Sequence, residues 1–134
     1  MPKKSIVLDS WAMMAFFENE PAAEQVEKII VEAHQNGVPL MMSVVNVGEL
    51  WYNTVRGHSQ VEADRVIQEL GNLGIEMVEA DWEITRQAAI LKTKGKLAYA
   101  DCFAAALAKL RKAEVVTGDP EFKQSEGEVK VLWV

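Results

Sequence analysis

Two aspartates follow directly on short apolar runs that are typical of buried β-strands. Asp9 comes after Ile6-Val7-Leu8, and Asp119 comes after Val115-Val116-Thr117-Gly118. Each aspartate taken alone also fits a helix cap or a turn, where Asp is common. In a parallel sheet, however, ligands bind at the carboxyl ends of the strands, where these ends lie together. The pair therefore predicts a cluster of carboxylates at that edge of the sheet.

Asp101 is the only charged residue in the alanine-rich stretch from Leu97 to Ala108. On a helix the larger apolar side chains of this stretch form one stripe, and Asp101 lies on the opposite face among alanines. A solvated face would carry Lys or Glu, so an alanine face predicts close approach of another backbone. The carboxylate is then poorly solvated, which is costly unless it is paired or bound to a metal. The alternative is a first-turn charge stabilised by the helix dipole.

Glu49 lies on a predicted helix, Val47–Arg56, on the side opposite to its apolar face. Tyr52 and Asn53 share this polar side. Taken alone, Glu49 fits an ordinary solvent-exposed glutamate. The functional alternative is that the polar side of the helix faces a cleft.

These four acids together predict a metal site. Several carboxylates in one pocket repel each other and cannot all stay ionised without a cation. Oxygen ligands without His or Cys select Mg²⁺ or Mn²⁺ rather than zinc. Such ions keep water positions open and accept phosphate oxygens, so the chemistry indicated is metal-assisted attack of water on a phosphodiester.

Strand and helix patterns alternate along the chain. The predicted strands are Ser5–Leu8, Val38–Ser43, Ile75–Val78, Glu114–Thr117 and Val129–Val134. The predicted helices are Trp11–Phe17, Ala22–Gln35, Val47–Arg56, Gln60–Leu73, Trp82–Lys94 and Ala98–Lys112. No strand alternates cleanly between apolar and polar residues, which indicates burial on both faces of a parallel sheet. The fold class is therefore α/β, with three layers and right-handed crossovers around four or five strands.

Length and composition exclude several classes of protein. The chain has 134 residues, of which 49% are hydrophobic and 25% charged, with a net charge of −6. These values fit one domain over residues 1–134 and exclude disorder. No apolar run approaches the roughly 18 residues of a membrane span, and no signal-peptide pattern opens the chain, so we expect a cytoplasmic protein. Cys102 is the only cysteine, which excludes an internal disulfide. His34 and His58 are the only histidines, which argues against a histidine-pair ribonuclease.

The order and spacing of several motifs resemble the PIN domain family, and within it the VapC-type toxin ribonucleases of type II toxin–antitoxin systems. The resemblance covers nearly the full length of the chain. Its motifs are Val7-Leu8-Asp9-Ser10, Asn19-Glu20-Pro21-Ala22, Ser43-Val44-Val45-Asn46-Val47-Gly48-Glu49-Leu50, Ala100-Asp101-Cys102 before an alanine-rich helix, and Val116-Thr117-Gly118-Asp119-Pro120-Glu121-Phe122.

The resemblance implies a Rossmann-like α/β/α sandwich and a ribonuclease. Asp9, Glu49, Asp101 and Asp119 would be the acidic quartet that holds one or two Mg²⁺ or Mn²⁺ ions. A metal-activated water would cleave RNA and leave 5′-phosphate and 3′-hydroxyl ends. The resemblance further implies a homodimer and a cognate antitoxin protein bound across a groove near the site.

Further residues have candidate roles around the quartet. The resemblance implies that Thr117 orients a carboxylate or a water molecule, with Ser10 and Asn46 as additional supports, and Glu121 is a candidate for a further acid. Arg56 shares a helix face with Glu49, and Lys96 is the last of three lysines before Asp101. These two are candidates for contact with the RNA backbone, which Lys and Arg commonly bind, and a solvated helix end is the alternative for the lysine.

Two other classes of function stay open at this point. An aspartate-based phosphatase or phosphotransfer domain would use Asp9 as a covalent nucleophile. A haloacid-dehalogenase-like site would have a second acid where Trp11 stands, and a receiver domain would have a lysine after its late strand. A non-catalytic interaction module of the same fold would be marked by loss of one of the acids, and none is lost.

Overall fold

A computed structural model describes residues 4–134 of the chain as strands and helices in close alternation. The strands are β1 (Ile6–Leu8), β2 (Leu40–Ser43), β3 (Ile75–Val78), β4 (Glu114–Thr117) and β5 (Lys130–Trp133). The α-helices are α1 (Ser10–Phe17), α2 (Ala23–Asn36), α3 (Val44–Gly57), α4 (Gln60–Asn72), α5 (Trp82–Lys94) and α6 (Tyr99–Arg111). A 3₁₀ helix, Pro120–Ser125, joins β4 to β5.

The five strands form one parallel sheet in the order β3-β2-β1-β4-β5. Side chains of the central strands alternate between two cores. Val7 packs with α5 and α6 on one face, and its neighbour Leu8 packs with α1 to α4 on the other. Helices therefore cover both faces of the sheet, which confirms the predicted three-layer α/β class.

Helix α6 is buried on all sides over most of its length. Its residues from Asp101 to Ala108 are all buried, and the helix contacts α3, α5 and the strands β1, β2 and β4. Ala104, Ala105 and Ala108 have no exposed surface. The alanine face thus lies against other elements, as its composition predicted, because small side chains let neighbouring backbones approach closely.

Helix α3 begins at Val44, three residues earlier than predicted. Val44 and Val45 are β-branched, which lowers their preference for a helix. Ser43, the last residue of β2, offsets this effect because its hydroxyl accepts a hydrogen bond from the Val45 amide and caps the helix. Strand β2 therefore runs into α3 without a loop, which brings the first turn of α3 close to the end of the sheet.

The prediction that the strands are buried on both faces is wrong for the two edge strands, β3 and β5. Glu76 and Met77 in β3 are exposed, and β5 has an exposed Lys130 and no buried residue, whereas all four residues of β2 are buried. An edge strand has only one neighbour, and a charge on it discourages pairing with another chain. The 3₁₀ helix was not predicted, because its sequence carries no apolar period. Within residues 4–134 no helix has both the length and the apolarity of a membrane span.

We expect Ala105→Leu to destabilise the protein by roughly 1–3 kcal/mol, because a larger side chain has no space between α6 and its neighbours. The free energy of unfolding, measured with urea, tests this. Gln68→Leu, at an exposed position of α4, is the control and should change it by less than about 0.5 kcal/mol. Equal stability of the two variants would contradict the close packing of α6.

Candidate active site

The predicted carboxylates converge where the strand order of the sheet reverses. From β1 the chain places β2 and β3 on one side and β4 and β5 on the other. Sheets of this kind bind ligands in the crevice at such a reversal, beyond the carboxyl ends of the strands. Asp9 directly follows β1, and Asp119 lies two residues beyond β4. Glu49 reaches the crevice from α3, and Asp101 from the first turn of α6.

Asp9 is completely buried and uses its two oxygens differently. Oδ1 accepts a hydrogen bond of 2.8 Å from the amide of Ala12 and so caps α1. Oδ2 is buried with no hydrogen-bond partner among residues 4–134. The cap expected from sequence is present, and it leaves the second oxygen of the carboxylate available for a ligand.

Burial raises the pKa of Asp9 from 3.8 to about 7. The nearby Thr117 hydroxyl and the Ala12 amide oppose this shift. The negative charges of Asp101 and Asp119 add to it, which places all three carboxylates on the same side of the molecule.

Asp101, Asp119 and Glu121 form the tightest group of acids. One carboxylate oxygen of each lies within 4.8 Å of the corresponding oxygens of the other two. Asp101 is only 9% exposed, and burial raises its pKa to about 7, with the charge of Glu49 as the next largest cause. A cation held among these oxygens would relieve the repulsion that now favours protonation.

Glu49 is half-buried and held in place by two neighbours. Its Oε1 accepts hydrogen bonds from the Ser10 hydroxyl, at 2.8 Å, and from the Asn46 side-chain amide, at 3.0 Å. The same Asn46 amide group donates to the backbone carbonyl of Ala100 in α6. Ser10 and Asn46 therefore tie α1, α3 and α6 together around this carboxylate. Asn46 Oδ1 is buried and unpartnered within the described chain.

A compact turn after β4 directs two acids into the crevice. The Thr117 hydroxyl accepts a hydrogen bond from the Asp119 amide at 3.1 Å, and the Asp119 carboxylate accepts one from the Glu121 amide at 3.0 Å. Pro120, with its restricted φ, begins the 3₁₀ helix. Thr117 thus acts on the site in two ways, through the backbone of Asp119 and through its effect on the pKa of Asp9.

Most of these acids line a cleft of about 490 Å³. Its acidic lining residues are Glu20, Glu49, Asp101, Asp119 and Glu121, whereas Asp9 is completely buried and is not among them. Trp11, Met14 and Ala15 contribute apolar surface to the same cleft. Arg56 and Lys96 are exposed and lie outside its lining.

The donor set fits a hard divalent cation. All of the converging ligand atoms are carboxylate oxygens, and an unpartnered oxygen of Asp9 is buried beside them. Cys102 is buried in the core, and both histidines are at the surface, where His58 pairs with Glu18. No described His or Cys joins the acidic cluster, so the donors are those that Mg²⁺ or Mn²⁺ prefers.

The tight group lacks two members of the predicted quartet and contains one other acid. Glu121 belongs to the tight group, whereas Asp9 and Glu49 lie outside it. The charges of Asp9 and Glu49 are still close enough to interact with the charge of Asp101. Glu20 at the rim of the cleft was not predicted as a site residue. Glu121 was a candidate for a further acid from the sequence, and its place in the first turn after an Asp-Pro cap agrees with this. Glu20 lies between α1 and α2, in the Asn19-Glu20-Pro21-Ala22 motif, which carried the family resemblance but indicated no role at the site.

The sequence matches the PIN domain family over residues 6–127. The chain belongs to this family. The match confirms the resemblance carried by the motifs around Asp9, Glu49, Asp101 and Asp119, and it spans every element that contributes to the cleft of this PIN domain. No curated protein matches the chain significantly.

Solved structures with the fold of this PIN domain include proteins of toxin–antitoxin systems. VapBC2 from Rickettsia felis, bound to a DNA fragment from its promoter, has a TM-score of 0.77 at 15% identity, over 95% of this chain and 96% of that one. VapC20 of Mycobacterium tuberculosis, a Sarcin-Ricin loop cleaving toxin, has a TM-score of 0.72 at 16% identity, over 95% and 98%. FitAcB from Neisseria gonorrhoeae has a TM-score of 0.68 at 21% identity, over 95% and 96%. Identities this low show a shared fold.

The raised pKa of Asp9 makes stability depend on pH when divalent cations are chelated. This pKa is about 7 in the folded protein and near its ordinary value of 3.8 in the unfolded chain. At pH values between the two, the protein therefore takes up a proton when it folds. The free energy of unfolding should therefore fall as pH rises from about 4 to about 7, by up to about 1.4 kcal/mol per pH unit for one proton. In Asp9→Asn, which keeps a capping oxygen, we expect a shallower fall.

Urea unfolding in EDTA at several pH values measures this dependence. Asp81→Asn is a matched control, because Asp81 caps α5 through the Ile84 amide but is exposed. Its profile should follow that of the parent. Identical slopes for the parent and Asp9→Asn would show that Asp9 does not take up the proton.

Proposed function

We propose that this PIN domain is a Mg²⁺- or Mn²⁺-dependent endoribonuclease and the toxin of a toxin–antitoxin pair. The observation that carries the proposal is the group of oxygens from Asp101, Asp119 and Glu121 within 4.8 Å, beside the unpartnered oxygen of Asp9. This cluster lies in an open cleft at the strand reversal, where a polymer can enter. Family membership and the similar fold of the Sarcin-Ricin loop cleaving toxin VapC20 support the choice of substrate.

The acidic residues would bind a divalent cation and the chain would orient what surrounds it. Asp101, Asp119 and Glu121 would supply ligands from the cleft lining. Asp9 would supply one from its buried position at the end of β1. When bound, such a cation lowers the pKa of a water molecule and neutralises charge on a phosphodiester. Glu49, predicted as a further metal ligand, is fixed by Ser10 and Asn46 through Oε1, so its Oε2 would be the oxygen offered to a cation or to a water molecule in the cleft.

The burial of Asp9 favours hydrolysis over phosphotransfer through a covalent intermediate. A nucleophilic aspartate must reach the phosphorus atom, whereas Asp9 has no exposed surface and one of its oxygens caps α1. The electrostatics also favour catalysis over a purely structural module. Asp9 and Asp101 have pKa values raised to about 7, so keeping them ionised without a cation destabilises the fold. Packing alone does not require carboxylates at these positions.

Arg56 and Lys96 are proposed contacts for the RNA backbone outside the cleft. The Arg56 guanidinium lies 4.8 Å from the centre of the Tyr52 ring, which holds it on the polar side of α3 that also carries Glu49. Lys96 lies in the loop before α6, and the Gln124 side chain fixes its backbone through a 2.8 Å hydrogen bond. Both charges are at the surface, where phosphates on either side of the cleaved bond could reach them.

The proposal extends to partners and location. The similar structures include toxin–antitoxin complexes, such as one from Klebsiella pneumoniae, which supports a protein antitoxin as partner. We further propose a homodimer, a cytoplasmic location, and a single PIN domain over residues 1–134. A single, buried cysteine fits a reducing compartment.

We expect the parent protein to cleave RNA only with Mg²⁺ or Mn²⁺ and to lose this activity in EDTA. Asp101→Asn and Glu121→Gln each remove a charge from the tight group. Each should lower kcat by more than the roughly 10- to 100-fold that loss of an outer-shell partner costs. Glu83→Gln, exposed on α5, is the control and should cleave like the parent. Calorimetry with Mn²⁺ should show weakened binding in the two site variants only.

Cut ends mapped on total RNA after brief incubation should carry 5′-phosphates. Cleavage that persists in EDTA, or in Asp101→Asn at the parental rate, would contradict the proposed function. Cyclic phosphate ends would contradict the metal-dependent mechanism even if RNA is cut.

Arg56→Ala and Lys96→Ala test the proposed backbone contacts. At low ionic strength each should raise KM roughly two- to fivefold with little change in kcat, as expected for an exposed charge contact. The effect should diminish as salt is added, because salt screens exposed charges. Arg86→Ala, an exposed arginine of α5, should leave KM unchanged. A loss confined to kcat would exclude a binding role.

A further inference from the structure

Trp11 is a large aromatic side chain placed at the mouth of the acidic cleft. It is the second residue of α1, two residues after Asp9, and it is 36% exposed. Its side chain lines the cleft and also an adjoining groove formed by Glu20, Pro21 and Gln25. What distinguishes Trp11 from the other exposed large hydrophobic residues is that it lines the acidic cleft.

The Trp11 ring is held against the backbone beside one of the site carboxylates. A Cβ atom added to Gly118 would overlap the ring carbons Cη2, Cζ3 and Cζ2 of Trp11. Gly118 stands between Thr117 and Asp119, so the lack of a side chain there lets the indole rest directly on the turn that positions Asp119. The ring is therefore placed before any ligand arrives, which reduces the entropy lost when something binds to it.

The lining of the cleft combines two chemistries. It contains carboxylates and also the apolar side chains of Trp11, Met14 and Ala15. A nucleotide has a matching combination, because its phosphate is anionic and its base presents apolar faces. The indole rests on Gly118, next to Asp119, so a base adjacent to a phosphodiester bound near Asp119 would be within reach of the ring.

We infer that Trp11 is a stacking platform for a base adjacent to the cleaved phosphodiester, and so sets which RNA sequence is cut. The inference rests on the proposed nuclease function and deepens it. Stacking on an aromatic side chain is a common and strong contact for unpaired bases. Other exposed aromatic residues are placed differently: Trp82 is 72% exposed but does not line the cleft, and Tyr52 has the Arg56 guanidinium over its ring.

The test uses a short RNA oligonucleotide containing one mapped cleavage site, and copies in which either nucleotide beside the cut is abasic. For the parent, one abasic copy should lower kcat/KM roughly 5- to 150-fold, the range given by stacking on an aromatic ring. In Trp11→Ala the complete and abasic RNAs should be cut equally. Trp11→Phe should restore part of the difference, because phenylalanine offers a smaller stacking surface. A purely structural role would lower all the rates together and keep the discrimination.

Two further variants separate stacking from damage to the site. Trp82→Ala is the control and should discriminate like the parent. Gly118→Ala should lower the discrimination by displacing the ring, and it should have little further effect in the Trp11→Ala background, where there is no ring to displace. Urea unfolding of each variant shows whether it is folded.

The outcomes distinguish this inference from the proposed function. If the parent cleaves no RNA with either metal ion, both are overturned. If the parent cleaves and Trp11→Ala still prefers the complete RNA, only the platform is overturned. Unchanged discrimination together with weaker binding of a partner protein would also overturn it, and would assign the indole to a protein interface instead.

Discussion

Repulsion between carboxylates that the fold forces together is the interaction on which this structure depends. The parallel sheet brings the ends of β1 and β4 side by side, and with them Asp9 and Asp119. Helix α6 adds Asp101 from a buried position. In water these groups would separate or keep full hydration. Here burial raises the pKa values of Asp9 and Asp101 to about 7, and this stored cost is released when a cation or a proton enters.

Polar contacts around the acids prevent the fold from relaxing this repulsion. Ser10 and Asn46 hold Glu49 from α1 and α3, and Asn46 also binds the backbone at Ala100. The Thr117 hydroxyl fixes the turn that carries Asp119. These contacts come from four different elements, so no single side-chain rotation separates the charges. A binding site for a hard cation is the arrangement in which such rigidity is useful.

Much of the fold and the identity of the main acids could be predicted from the sequence. Strand ends followed by Asp9 and Asp119, and the alanine face around Asp101, are local patterns with direct structural consequences. The start of α3 was wrong because Ser43 caps a helix that begins with β-branched valines. The exposure of Glu76 and Met77 in β3 was not predicted, because a run of four residues does not show whether its strand lies at the centre or at the edge of the sheet. Glu121 joins the tight group through the geometry of one turn, which depends on how Asp119 accepts the Glu121 amide.

The alanines of α6 have a consequence for how this protein tolerates change. From Ala104 to Ala108 the helix has no exposed surface, and almost any replacement of its four alanines is larger than the residue it replaces. A library of random variants selected only for solubility should return these alanines nearly unchanged. Invariance of that kind would look like the mark of a catalytic motif, although its cause is volume.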